Sequence, residues 1–243
     1  MQFPLSPSQY DIQVSLVAFL KAILPAGTPV VEGQDNRVAE PGPNDFVVFW
    51  TLRRTRLATN VDLYNDAVFT GSIAGNVMTI TAVGYGSLSA GSTVFGVGVA
   101  TGTFVMSQLT GTPGGIGTYS VNLSQTTSSE TLAAGVGTYL QETEIDFQLD
   151  VHGPSSADNA QTISTLFRDE YAVDFFAAIN SSISPLLADD PIQAPFLNDS
   201  QQYETRYVVN ARVQANQTVT VPQQFMSEVN VEIIEVDAAY PPS

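Results

Sequence analysis

The sequence predicts an α+β protein: a mostly antiparallel β-sheet flanked by two main helices and interrupted by a small all-β inserted domain. Three observations carry that expectation. Apolar residues recur at helical spacing twice, at Ile12, Leu16, Phe19, Leu20, Ile23 and Leu24, and again at Ile163, Leu166, Phe167, Ala172, Phe175 and Ile179. Runs of strand-like pattern lie between and after them. The middle third is chemically foreign to its flanks, because fourteen of the eighteen glycines fall between Gly71 and Gly137, and residues 68–135 carry one charge, Glu130. An inserted domain produces such a shift. The expected division is a core in two parts, residues 1–68 and 137–243, with the inserted Gly/Thr/Ser-rich domain at 69–136.

Taken in order, Ser6 and Pro7 are expected to supply the N-cap and first residue of the opening helix, and Pro25 with Gly27 to end it. Asp35-Asn36-Arg37 and Glu40-Pro41-Gly42-Pro43 read as a rigid polar loop, with Asn36 capping the local turn. Residues 45–57 read as a strand, Val47 and Phe49 on one face and Val48, Trp50 and Leu52 on the other. Apolar on both faces, it should be covered on two sides, which makes Trp50 core rather than contact. In the middle third, NVMTITAV, STVFGVGV, TFVMSQL and TYSVNL alternate with glycine-bearing turns, and Gly111–Gly117 reads as a long loop.

After it, Ile145, Phe147, Leu149 and Val151 alternate with Glu144, Asp146, Gln148 and Asp150, a half-buried strand with an acidic outer face. A second helix should start near Ser155, with Asp158 at capping-box spacing, and run on to Ile179. The segment SPLLADDPIQAPFLNDS reads as a turn-rich link. Two strands close the domain, one with Tyr207, Val209, Ala211 and Val213 on a face, the other with Val229, Val231 and Ile233. The final AAYPPS should extend along the surface.

Composition narrows the function classes. The chain has 243 residues, room for one large domain or two small ones, and charged residues make up only 13% for a net charge of −16. So little lysine suggests a surface that faces other protein, although a low-charge β-protein would also show it. There is no cysteine, so disulfides and thiolate metal sites are excluded. The opening segment lacks a basic stretch before its apolar run and reads as a helix rather than a signal peptide; no run approaches the ~20 apolar residues of a bilayer span, so a soluble protein without membrane contact is expected. GTPGGIG lacks the Gly-Lys-Ser/Thr of a phosphate loop.

The lone histidine, His152, lies near Asp150 and Ser155 without a nucleophile elbow, and reads as structural. Asp189-Asp190 sits in a proline-bounded turn. No transition-metal spacing or calcium loop is present, so no enzyme activity, cofactor or metal is expected.

Four segments carry a family resemblance: GQDNRVAEPGPNDFVVF, DVHGPSSADNAQTISTLFRDEYAVDFF, QQYETRYVVNARVQANQTV with VPQQF, and the closing VEIIEVDAAYPP. Together they resemble the neck or tail-terminator proteins of tailed bacteriophages, on both sides of the middle third. That middle resembles a Gly-rich β-module found within other phage virion proteins. The resemblance implies a small β-sheet flanked by helices and a ring protomer, commonly of a homohexamer, at the head-proximal end of the tail. Such a ring caps the tail-tube protein, ends its polymerisation and gives head-completion proteins a docking surface in the virion. An alternative is a decoration or host-glycan-binding module carried by the middle third.

Two residue sets follow from that picture. DNA must pass such a ring without specific binding, and a basic lumen would hold phosphates. Glu144, Asp146 and Asp150 are therefore channel-facing candidates, or else they solvate an outer face. Half of the eight basic residues lie between Arg37 and Arg56. Arg53, Arg54 and Arg56, with Asn36 and Arg37, are expected at a subunit or ring–ring interface, where the guanidinium fork engages carboxylates bidentately. The alternative is that they balance acids of the same protomer.

Overall fold

A computed structural model describes residues 5–33, 44–194, 196–197 and 203–223. In chain order its elements are β1 (Leu5–Ser6), α1 (Gln9–Ile23), β2 (Val30–Glu32), β3 (Phe46–Arg56), β4 (Val61–Gly86), β5 (Thr93–Phe95), β6 (Val105–Gly111) and β7 (Gly117–His152). There follow α2 (Ser156–Phe167), α3 (Glu170–Ile179), β8 (Ile183–Ala188), β9 (Ile192–Gln193), β10 (Phe196–Leu197), β11 (Tyr203–Glu204) and β12 (Arg206–Pro222). The described residues form two compact units, one within residues 1–63 and 138–220, the other within 64–137 and 221–243. No helix among the described residues is long and apolar enough to cross a membrane.

Among the described residues the first unit is a mixed sheet with three helices on one face. Its strand order is β1–β12–β7–β3–β2, and β8 and β9 also pair with β12. β3 runs antiparallel to β7, with Phe49 opposite Leu149, whereas β2 joins β3 in parallel. The alternation of β7 and β12 puts Ile145, Phe147, Leu149 and Val151 beside Val209, Ala211, Val213 and Ala215, all fully buried. Against them α1 sets Ile12, Leu16, Phe19 and Leu20. Phe19 is the hub: the rings of Phe167, Phe175 and Phe176 lie 5.5–5.6 Å from it and Tyr171 at 6.3 Å.

Several expected boundaries move for local reasons. The cap of α1 is Ser8, not Ser6: Asp11 accepts from the Ser8 backbone at 2.8 Å and from its hydroxyl at 2.7 Å, and the hydroxyl accepts from the Asp11 N–H. Ser6 instead pairs with Thr218 in the sheet. The expected single second helix is two, broken at Arg168-Asp169, where the Asp169 carboxylate accepts from the Tyr171 N–H and starts α3. Ser155 makes no side-chain cap; its N–H donates to Asp45 at 2.8 Å. Part of the proline-bearing link is strand β8, antiparallel to β12. Trp50 and Val48 are only half-buried, and Leu52 is exposed, so the second face of β3 is not core. The second closing strand, at 229–233, and the AAYPPS tail lie outside the described residues.

The second unit has its own core of Ala67, Phe69, Ile73, Met78, Ile80, Val94, Val105, Tyr119, Val121, Leu132 and Ala134. β4, β5 and β6 each pair with β7. β4 doubles back at Gly75, since Gly71 abuts Thr79 and Ile80 while Gly86 abuts Asp66 and Ala67. The Gly111–Gly117 segment is a tight hairpin rather than a long loop, with Gly111 opposite Gly117 in the ladder. Gly111 holds φ +98, and a Cβ there would overlap the Ile116 carbonyl.

Candidate functional site

The arginine cluster sits where β3 leaves the helix-covered core. Inward positions change character there along three strands together. Phe49 and Thr51 give way to Arg54 and Arg56 on β3, Ile145 to Thr143 and Gln141 on β7, and Ala215 to Gln217 on β12. A β-bulge between Thr51 and Arg53 shifts the register by one residue, leaving Leu52 exposed. Because side chains alternate across a strand, that shift sorts the arginines. Arg54, opposite buried Ile145, and Arg56, opposite Thr143, share the helix side; Arg53, opposite Asp146, points to the other side.

On the helix side Arg54 and Arg56 line a recess of about 390 Å³ with Leu5, Tyr139, Gln141 and Gln217. None of its described lining residues is a carboxylate, in a chain with 24 acids. Arg54 donates to Gln217 at 3.0 Å and to the side-chain oxygen of Gln9 at the start of α1. Those amides are themselves tied down: Gln9 donates to Thr51 at 2.9 Å and Gln217 to the Pro7 carbonyl at 2.7 Å. Arg56 donates to the Ala58 carbonyl at 2.8 Å and to Asn60 at 2.6 Å. Both guanidinium groups are thus positioned by neutral acceptors among the described residues. Its chemistry suits an anion with two acceptor oxygens.

The opposite face holds a ladder of ion pairs. Arg53 donates to one Asp146 oxygen through two nitrogens, at 3.1 and 2.8 Å. Arg212 lies 3.9 Å from the other Asp146 oxygen and 3.8 Å from Asp189. Asp150 pairs with Arg206 and accepts from Gln148 at 2.8 Å; its side chain is 4% exposed.

For the expected site residues the outcome is therefore divided. Arg53 balances an acid of its own protomer, while Arg54 and Arg56 meet no carboxylate among the described residues. Asp150 is buried and Asp146 largely so, which leaves Glu144, half-buried and without an ion pair among the described residues, as the remaining channel-facing candidate. Asn36 and Arg37 lie outside the described residues.

Sequence reading missed Gln9, Asn60, Tyr139, Gln141 and Gln217. Their one-dimensional signal was the switch from apolar to polar at inward positions of three strands.

Asp150 pairs with Arg206 and accepts from Gln148, and the His152 ring stacks on Phe46 at 4.5 Å. Asp189 and Asp190 face Arg212 and Arg168.

Residues 98–237, more than half of the chain, match the family model described as phage neck terminator protein. The chain belongs to that family. A phage neck terminator is a structural component of the virion. The match begins inside the glycine-rich stretch, at residue 98, and so does not set the middle third of this neck terminator apart as a separate module. No curated protein matches the chain.

Proposed function

We propose that this chain is the protomer of a ring, hexameric by its family's habit, that caps the tail tube, ends its polymerisation and joins the tail to head-completion proteins around the DNA channel. The family match over residues 98–237 carries this reading. The net charge of −16 supports it, because an acidic ring lets DNA pass without a phosphate-binding lumen. The recess at Arg54 and Arg56, with no carboxylate among its described lining residues, supports a contact to another protein surface. Residues 69–136 are proposed as the inserted β domain between the two parts of the terminator core. Phage made without the protein should yield tails of uneven length and heads that fail to join them. Particles of normal tail length and normal joining would overturn the reading.

A second reading, that the all-β unit binds a host glycan or decorates the virion, is favoured by one feature. An apolar cleft lined by Val68, Phe95, Val97, Val99 and Leu132 opens on that unit, with Val97 84% exposed. Deleting residues 71–135 separates the two. Infectious particles that lose host attachment would favour the second reading; failed ring formation would make the unit part of the ring.

A further inference from the structure

The geometry points to the occupant of the Arg54/Arg56 recess: the acidic face of helix α3 on a second copy of this chain, through Glu170 and Asp174. This deepens the ring reading above and rests on it. The recess asks for carboxylates, because two guanidinium groups face it and no described lining residue is acidic. α3 presents them. Its sequence, EYAVDFFAAI, contains no basic residue, and Glu170 and Asp174 are exposed and form no ion pair among the described residues.

The spacings agree. Residues two apart on a strand lie ~6.5 Å apart, and residues four apart on a helix ~6 Å apart on one face. Beside the two carboxylates, Tyr171 and Val173 are 47% and 48% exposed. The recess carries an apolar rim to receive them, Leu5, Tyr139 and Val219.

The two patches cannot meet within one protomer. Gln9, which holds Arg54, opens α1, whereas α3 packs on Phe19 ten residues further along, ~15 Å at the helical rise. A recess on one copy that takes a different surface of the next is a head-to-tail contact, the kind that closes into a ring. Several other carboxylates of the first unit are already engaged. Asp146, Asp150, Asp189 and Asp190 face arginines of their own protomer. Asp11 is engaged by Ser8.

The test is a charge exchange in the full chain, read by native mass spectrometry and by the concentration at which oligomers dissociate. Arg54→Glu with Arg56→Glu should weaken neighbour association about a hundredfold, roughly tenfold for each desolvated pair. Glu170→Arg with Asp174→Arg should do the same. The chain with all four changes should regain at least tenfold. Trp50 fluorescence melts establish that each variant folds, and Arg54→Lys with Arg56→Lys, which keeps charge but loses the fork, should give an intermediate loss.

Oligomers of normal strength in the α3 variant would overturn this inference while leaving the ring reading standing. So would a loss in the arginine variant that the four-fold exchange fails to restore, especially if that variant also stops binding tail-tube protein. A parent chain that stays monomeric throughout would overturn the ring reading itself.

Discussion

Replacing Asp150 with alanine tests whether this carboxylate is part of the protomer's interior or part of a channel wall. Its side chain is 4% exposed, and that of Arg206, its partner, 22%. The change leaves a mostly covered guanidinium whose Nε already lacks a partner. Breaking a buried pair by removing one partner costs ~3–5 kcal/mol. Arg206 keeps some access to water, so the lower end, ~3 kcal/mol, is expected. With a urea m-value of about 3 kcal/mol/M, the midpoint should fall by about 1 M.

Trp50 is the only tryptophan and sits on β3 in the first unit, so its fluorescence reports this transition without signal from the second unit. Replacing both partners with leucine should recover most of the loss, because two apolar side chains leave no orphaned charge. A fall of less than ~0.5 kcal/mol for Asp150→Ala, the range of an ordinary surface change, would refute the reasoning. Asp150 would then be solvated and again a lumen candidate.

Three further outcomes follow from the packing and caps. Phe19→Ala removes a fully buried ring that meets four aromatic neighbours, and should cost ~4 kcal/mol in the same urea assay; a loss under ~2 kcal/mol would mean the layer collapses to fill the void. Asp169→Ala removes the cap of α3 and should cost ~1 kcal/mol, with no change if the helix break is set by packing alone. The Ser8 hydroxyl, then its backbone N–H, hold the Asp11 carboxyl below its ordinary value. The folded-state pKa is depressed, so this contact stabilises fully above the unfolded value and is lost as pH falls through the folded one. An NMR titration should place the Asp11 midpoint below that of an unstructured aspartate and return it upward in Ser8→Ala; equal midpoints would remove the cap.

The sheet and helix faces were legible wherever one period dominated. The stripe Ile12, Leu16, Phe19, Leu20 and the alternations 145–151 and 207–213 are what the core uses. Legibility failed where a long-range partner decides. Ser6 looked like a cap, yet its place in the β1–β12 ladder hands the cap to Ser8. The apolar spacing ran unbroken through Arg168-Asp169, and only the Asp169 side chain marks the break. Pro185 argued against a strand, but β8 bulges beside it, between Arg212 and Val213 on β12.

The arginine cluster was visible as a composition anomaly, but its division was not. A one-residue bulge at Leu52 sends Arg53 to Asp146 and the other two to the recess. Asp150 looked like one more outward acid, and only Arg206, fifty-six residues on, explains why it is buried.

Negative-stain images of the purified full-length protein address the central claim most directly. Side-by-side association of copies predicts annuli with an open centre, and labelling of intact particles should place the protein at the head–tail junction. Single small particles at every concentration, together with label found away from that junction, would contradict the account.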